Sequence, residues 1–300
     1  MKDLPKPRVR RWITAAVILL LLGLFSFFAA GIVGMFISSQ GIEYGNVAVI
    51  KIRGPIMVDS SSRVLSDKVT SSSEVIGLLE KAEENPEVIA IILDINSPGG
   101  GAVASYEIAE AVEGSNKTVV AWIREVGASG AYWIASAAEY VVVNPVSITG
   151  SIGVISSYLD FSGFIQDHNV SYERLVSGEH KDIGVPFREL TDEERDIFQN
   201  DLDLIRMEFV KGVAENRDMT VEEVDAIATG QFFLGTQAKD LGLVDKLGGK
   251  EDAIRYIEDK HDIEVELAEY KTHKSFSELL SEIKSPSITV DFGQDSMIRT

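Results

Sequence analysis

Ser129 stands in the stretch Glu125 to Ala138, EVGASGAYWIASAA, between a predicted buried strand (Thr118 to Ile123) and a segment of small and aromatic residues with helical spacing. A serine at a strand-to-helix junction lies where a substrate backbone can come close and where free N–H groups point outward. That placement suits a nucleophile. It suits a helix cap as well, because serine is a favoured N-cap and the small neighbours Gly130 and Ala131 allow tight packing. The stretch is not a G-x-S-x-G elbow, since Ala131 occupies the position of the last glycine.

A serine nucleophile needs a base. The 4 histidines, His168, His180, His261 and His273, have no recognisable aspartate partner in the sequence. The alternative is a lysine that loses its proton by desolvation among apolar or hydroxyl neighbours. Lys181 is the best placed: it lies in the loop E-H-K-D-I-G, and Ile183, Val185, Pro186 and Phe187 follow as residues that could cover it. Against this stands the usual position of a lysine, in solvent. Hydroxyls from Ser147 to Ser151 could hold a neutral amine, and Ser151 follows a glycine. The run Ser97-Pro98-Gly99-Gly100-Gly101 offers backbone N–H groups to a developing anion, as an oxyanion hole or substrate clamp requires. A plain tight turn explains it equally well. No G-K-[ST] follows, so it is not a phosphate loop.

The elements that would position these groups read as an alternation. Val88 to Ile95 is an apolar run broken only by Asp94, the mark of a strand buried on both faces of a mainly parallel sheet. The glycine turn follows, then a helix from Ala102 to Glu113, the strand Thr118 to Ile123 and the Ser129 junction. Strand, turn, helix, strand, turn, helix is the order of right-handed crossover units, which carry ligands at the carboxyl ends of their strands. Further strands are expected at Asn46–Arg53, Tyr140–Val143, Val154–Ser157, Tyr172–Val176, Gly230–Phe233, Leu243–Asp245 and Ile263–Leu267. Helices are expected at Ser73–Glu84, Phe161–His168, Thr236–Leu241, Gly249–Asp259 and Phe276–Ile283. Thr191 with Glu194 and Thr220 with Glu223 form capping boxes that open two more. Ser60 to Ser73 reads as a surface loop and Ser285 to Thr300 as a loose tail.

Composition narrows the function classes. The chain has 300 residues and no cysteine, which removes thiol catalysis and disulfides. Trp12 to Ile37 contains no charge and exceeds the roughly 20 residues that span a bilayer core. Lys2, Lys6, Arg8, Arg10 and Arg11 against Asp3 give the preceding tail +4. The positive-inside rule then places the N-terminus in the cytoplasm and the rest outside. The apolar run is too long for a cleaved signal peptide, so a retained anchor is expected. The whole chain's −19 less that +4 leaves −23 on residues 12 to 300, a charge that repels nucleic acid.

These motifs together resemble the signal peptide peptidase SppA family. The matching stretches are D-I-N-S-P-G-G-G (Asp94 to Gly101), G-A-S-G-A-Y-W-I-A (Gly127 to Ala135), I-T-G-S-I-G-V (Ile148 to Val154), H-K-D-I-G (His180 to Gly184) with F-R-E-L-T (Phe187 to Thr191), and G-L-V-D-x-L-G-G (Gly242 to Gly249). They keep their order over roughly Asn46 to Ile257. The resemblance implies an α/β Clp protease/crotonase-like fold of repeated ββα units after one N-terminal transmembrane helix. It implies Ser129 as nucleophile, Lys181 as general base, Ser151 as the serine that orients the lysine, and the Gly100 and Gly130 amides as oxyanion hole. No metal or cofactor is implied. Ala131, where many members have glycine, is a departure that touches the fine shape of the helix start.

The organisation expected is therefore a basic cytoplasmic tail (1–11), an anchor (12–37), a linker (38–45), a protease domain (46–259) and an extension (260–300). The chain is expected in the cell membrane as a single-pass protein with its catalytic domain outside. Its expected partners are remnant signal peptides and copies of itself in a ring, whose sites could take residues from two subunits. Rivals are a stomatin-partner type of membrane serine protease, a crotonase-like acyl-CoA enzyme and a silent scaffold. The spanning anchor and the lack of a basic adenosine-phosphate patch argue against the acyl-CoA enzyme.

Overall fold

The computed structural model describes residues 7–39, 45–59 and 69–271. Two compact units divide the chain, one of them Glu43–Lys271. The other contains α1 (Pro7–Ser39). Within α1 the described side chains run from Trp12 to Phe28. Among the described residues no helix is long and apolar enough to cross a membrane.

Glu43–Lys271 is built on a parallel sheet. Its order is β10 (Leu267–Tyr270), β1 (Val47–Arg53), β4 (Ala90–Ser97), β5 (Thr118–Ala128), β6 (Tyr140–Val143) and β9 (Lys246–Leu247). The alternation along β1 is apolar on both faces, as a sheet covered on both sides requires. Ala48, Ile50 and Ile52 join Ile91, Leu93 and Ile95 of β4 on one face, packed against α2 (Ser72–Glu84), α3 (Ala102–Glu113), α4 (Gly130–Ser136) and α6 (Asp192–Asn216). Val47 and Val49 join Ile92 and Val120 on the other, against Ala253 and Ile257 of α9 (Lys250–His261). Both capping boxes form: Thr191 opens α6 and Thr220 opens α7 (Val221–Ile227), each with its glutamate returning to the cap N–H. A cap of this kind is worth about 1 kcal/mol.

Two strand expectations fail outright, because neither segment meets a partner strand among the described residues. Val154–Ser157 and Tyr172–Val176 are irregular. β7 (Ile148–Gly150) is already flanked by β5 and by the antiparallel β8 (Phe232–Leu234). Residues 151–191 hold a single regular element, α5 (Ser162–Asp167), and expose Ile155, Leu159, Phe164 and Leu175. Leu243 and Val244 go into the core as part of a turn, and the pairing expected of them falls to Lys246–Leu247. The late strand expected at Ile263–Leu267 is displaced to Leu267–Tyr270, where it pairs with Val47–Ile50. β2 (Ile56–Met57) and β3 (Thr70–Ser71) form a small second sheet that the sequence pattern did not suggest. The expected helix Phe276–Ile283 and the tail Ser285–Thr300 lie outside the described residues, as do 40–44 of the linker and 60–68 of the surface loop.

Candidate active site

β4 and β5 run in register to Ile95 opposite Ile123 and then part, the next pair being Ser97 with Gly127. Asn96 manages the break: its Oδ1 accepts from the Val126 N–H at 3.0 Å, replacing a ladder bond. β5 therefore continues past Ile123, where the sequence pattern ends it, and its last residues, Val126–Ala128, pair with β7. The strand delivers Ser129 directly into a turn.

Ser129 adopts φ 53° and ψ −128°, a conformation that glycine takes freely and other residues take under strain. Its N–H donates to the Gly150 carbonyl at 2.8 Å, and its carbonyl accepts from Tyr132 at 2.8 Å and Trp133 at 3.1 Å, starting α4. Although it occupies the N-cap position, its hydroxyl makes no cap hydrogen bond. The side chain is half-buried and turned out of the helix-capping role that the serine-cap reading gives it.

The S-P-G-G turn is pressed against this serine. Gly99 has φ +93°, and a Cβ there would fall 2.7 Å from the Gly130 nitrogen and 2.9 Å from the Ser129 Cβ. A Cβ on Gly130 would meet the Ser105 Oγ at 2.0 Å and lie 3.5 Å from the Gly100 nitrogen. Only glycine fits at either place, and the fit packs the Gly99–Gly100 backbone directly against Ser129 and Gly130. Among the described residues neither the Gly100 nor the Gly130 amide is engaged by a backbone carbonyl. The turn is held from behind by Ile56, whose N–H donates to Gly99 O at 3.0 Å and whose carbonyl accepts from Gly101 at 2.8 Å. Ser97 Oγ donates to Gly54 O at 2.6 Å and accepts from the Gly99 N–H at 3.1 Å. Beneath these bonds Arg53 donates to both the carbonyl and the carboxylate of buried Asp94. Two adjacent N–H donors beside a strained serine hydroxyl can stabilise an oxyanion formed on a carbonyl that the serine attacks.

Residues 111–275 match the family model described as Peptidase family S49. The chain belongs to that family. It is similar to a candidate protease of Methanocaldococcus jannaschii, 38% identical over 185 residues that cover 61% of this chain and 60% of that one. Protease 4 of Haemophilus influenzae is 32% identical over 216 residues, 71% of this chain and 34% of that one. The chloroplastic serine protease SPPA of Arabidopsis thaliana is 31% identical over 260 residues, 82% of this chain and 37% of that one. The chain thus spans between about one third and three fifths of the relatives it matches. The kinship read from the motifs of this S49 chain is borne out.

Of the residues singled out in the sequence, the fold brings Ser129, Gly100 and Gly130 together. Ser151 follows Gly150, the residue that holds the Ser129 amide. It has φ 52°, its N–H donates to Gln231 O at 3.0 Å, and its Oγ donates to Gly230 O at 3.1 Å. Lys181 lies in a series of turns, Lys181 N to Gly178 O at 3.2 Å and Ile183 N to His180 O at 3.2 Å. Its side chain is exposed, and so is Phe187, so a single copy does not cover the lysine as the sequence reading anticipates. The described histidines are occupied elsewhere: His168 with Phe164 O, His180 beside Glu193, and His261 with Thr118 Oγ1. Sequence reasoning missed Asn96, Gly99 as distinct from its neighbours, Ser105, and the charges around Lys181. The S-P-G-G spelling marked the turn but not which glycine carries the contact.

Proposed function

We propose that the chain is a serine endopeptidase whose nucleophile is Ser129 and whose oxyanion hole is the Gly100 and Gly130 amides, on a Clp protease/crotonase-like fold. The observation that carries this is the strained Ser129 turn, with its hydroxyl uncommitted to the helix and two amides packed next to it. In the reaction, neutral Lys181 takes the Ser129 Oγ proton as Oγ bonds to the peptide carbonyl carbon. The C–N bond then breaks and the amine leaves with that proton. Water, losing a proton to Lys181, attacks the ester carbonyl; the C–Oγ bond breaks, Ser129 Oγ takes that proton from Lys181, and the peptide acid leaves.

The same reading has Lys181 meeting Ser129 of a second copy, with Ser151 orienting it. Support comes from the exposure of Lys181 in its own chain and from the exposed apolar residues around it, including Leu175 and Phe187, which association would cover. A ring of such copies, anchored by the apolar N-terminal run with its domain outside the cell, would take apolar unstructured peptides such as remnant signal peptides.

The test is hydrolysis of an apolar fluorogenic peptide by the full chain, Ser129→Ala, Lys181→Ala and an equimolar mixture of the two variants. Each variant alone is expected to be inactive, and the mixture to regain about a quarter of the activity or more by random assembly. Full activity in Ser129→Ala would refute the nucleophile. A dead mixture, with each variant dead alone, would put both residues of a site in one copy.

A further inference from the structure

We infer that Asp182 is a positioning residue for Lys181: Arg188 ties its carboxylate to the start of α6, and Arg174 braces it from within the loop. This rests on the Ser129/Lys181 reading above and adds residues to that site.

Residues 151–191 have little regular structure and few buried side chains, so backbone pairing alone leaves the H-K-D-I-G loop poorly restrained. Charge supplies the restraint. Arg174 grips both Asp182 oxygens, Nε to Oδ2 and Nη2 to Oδ1, each at 2.8 Å, and its Nη2 also donates to Glu179 O at 2.7 Å. Arg188 reaches the same carboxylate at 3.2 and 3.1 Å. With its other edge Arg188 holds Glu194 at 2.7 and 2.6 Å. Glu194 is the buried member of the capping box that starts α6, accepting from Thr191 N at 3.0 Å. Gly184, with φ +78°, closes the loop where a Cβ would press to 3.3 Å from the Phe198 ring of α6. The route from the base to a rigid helix is thus continuous: Lys181, Asp182, Arg188, Glu194, α6.

The Asp182 side chain is 12% exposed, with both oxygens occupied by guanidinium forks. It is therefore committed to the two arginines and does not serve as a counter-ion for the lysine beside it. Paired carboxylates and arginines contribute little net stability, and their best use is to specify one conformation among several. Bidentate forks suit this because they fix angle as well as distance. Here the conformation specified is that of the residue bonded directly to Lys181. A base displaced by about 1 Å can lose on the order of a hundredfold in rate.

The experiment uses the full chain with Asp182→Asn and Arg174→Met, measuring kcat and KM on the apolar peptide beside Lys181→Ala, with circular dichroism for folding. Both variants are expected to lose about ten- to hundredfold in kcat with KM within about twofold. Wild-type kcat in Arg174→Met, or a loss in both variants that appears wholly in KM, would overturn the inference even with Lys181→Ala inactive. If Asp182→Asn unfolds, Arg174→Met alone decides. Wild-type activity in Lys181→Ala would instead remove the dyad reading beneath it.

Discussion

The Ser129 N–H donates to the Gly150 carbonyl at 2.8 Å, which ties the turn that presents the serine to the last residue of β7, just before Ser151. Positive φ thus occurs at the donor Ser129, at the acceptor Gly150 and at the next residue, Ser151. Non-glycine residues are held in such conformations only when the surroundings over-determine them, and here strand pairing on both sides does so.

Strain at Ser129 gives a first prediction. Ser129→Gly should be more stable than Ser129→Ala by about 1 kcal/mol or more, since glycine adopts φ 53° without the Cβ penalty that alanine retains. Both should be inactive. Thermal unfolding of the two variants is the check, and an equal or lower melting temperature for the glycine variant would remove the claim of strain.

Gly99→Ala should destabilise by more than about 1 kcal/mol and abolish hydrolysis, because its Cβ meets the Gly130 nitrogen at 2.7 Å and its φ is +93°. Gly101→Ala, whose Cβ has nothing nearer than 3.7 Å and whose φ is ordinary, is the matched control and should fold normally. Denaturant melts with peptide turnover on both variants compare them directly.

Tyr132 is fully buried on α4, and its hydroxyl donates to Leu243 O at 2.8 Å; burial pushes its phenol well above the ordinary value. Tyr132→Phe leaves that carbonyl without its donor and should cost about 1–3 kcal/mol. The rate per folded molecule should hardly change, as the bond joins Tyr132 to the Leu243 carbonyl and involves neither Ser129 nor the glycine turn. A large fall in kcat at full folding would contradict this.

Acid should loosen the Lys181 loop first. Hydrogen bonds from Arg188, and then from the Thr191 amide, hold the Glu194 carboxyl down at about 2, and the two arginines hold Asp182 lower still. Depressed carboxylates contribute stability that is complete above their unfolded values and is lost as pH falls through the folded ones. The loss therefore begins as pH drops below about 4.5 and for Glu194 is complete below about 2. Proteolytic nicking of residues 171–190 followed against pH should rise through that window, and Glu194→Gln should nick readily already at neutral pH. An unchanged nicking profile in Glu194→Gln would count against the network.

Much of the framework was legible because it is local. The apolar run Val88–Ile95, the capping boxes at Thr191 and Thr220, and the glycines after Ser97 each state their own conformation within a few residues, and the structure has them as β4, the starts of α6 and α7, and the turn. The strands written into Tyr172–Val176 and Val154–Ser157 failed because β-forming side chains become a strand only where they meet a partner, and among the described residues these segments pair with none.

By itself the sequence determined residue types, their order and the alternation of strand and helix, and with these the S49 kinship, since such features survive in the chain's own spelling. Tertiary structure alone decided that β4 and β5 separate at Asn96, that Gly99 rather than a neighbour bears on Ser129, and that Arg174 and Arg188 converge beside Lys181. The first two are relations between segments far apart along the chain, fixed by strand register and by which atoms are left room; the third depends on how a loop without regular structure folds back on itself, and no local propensity encodes any of them.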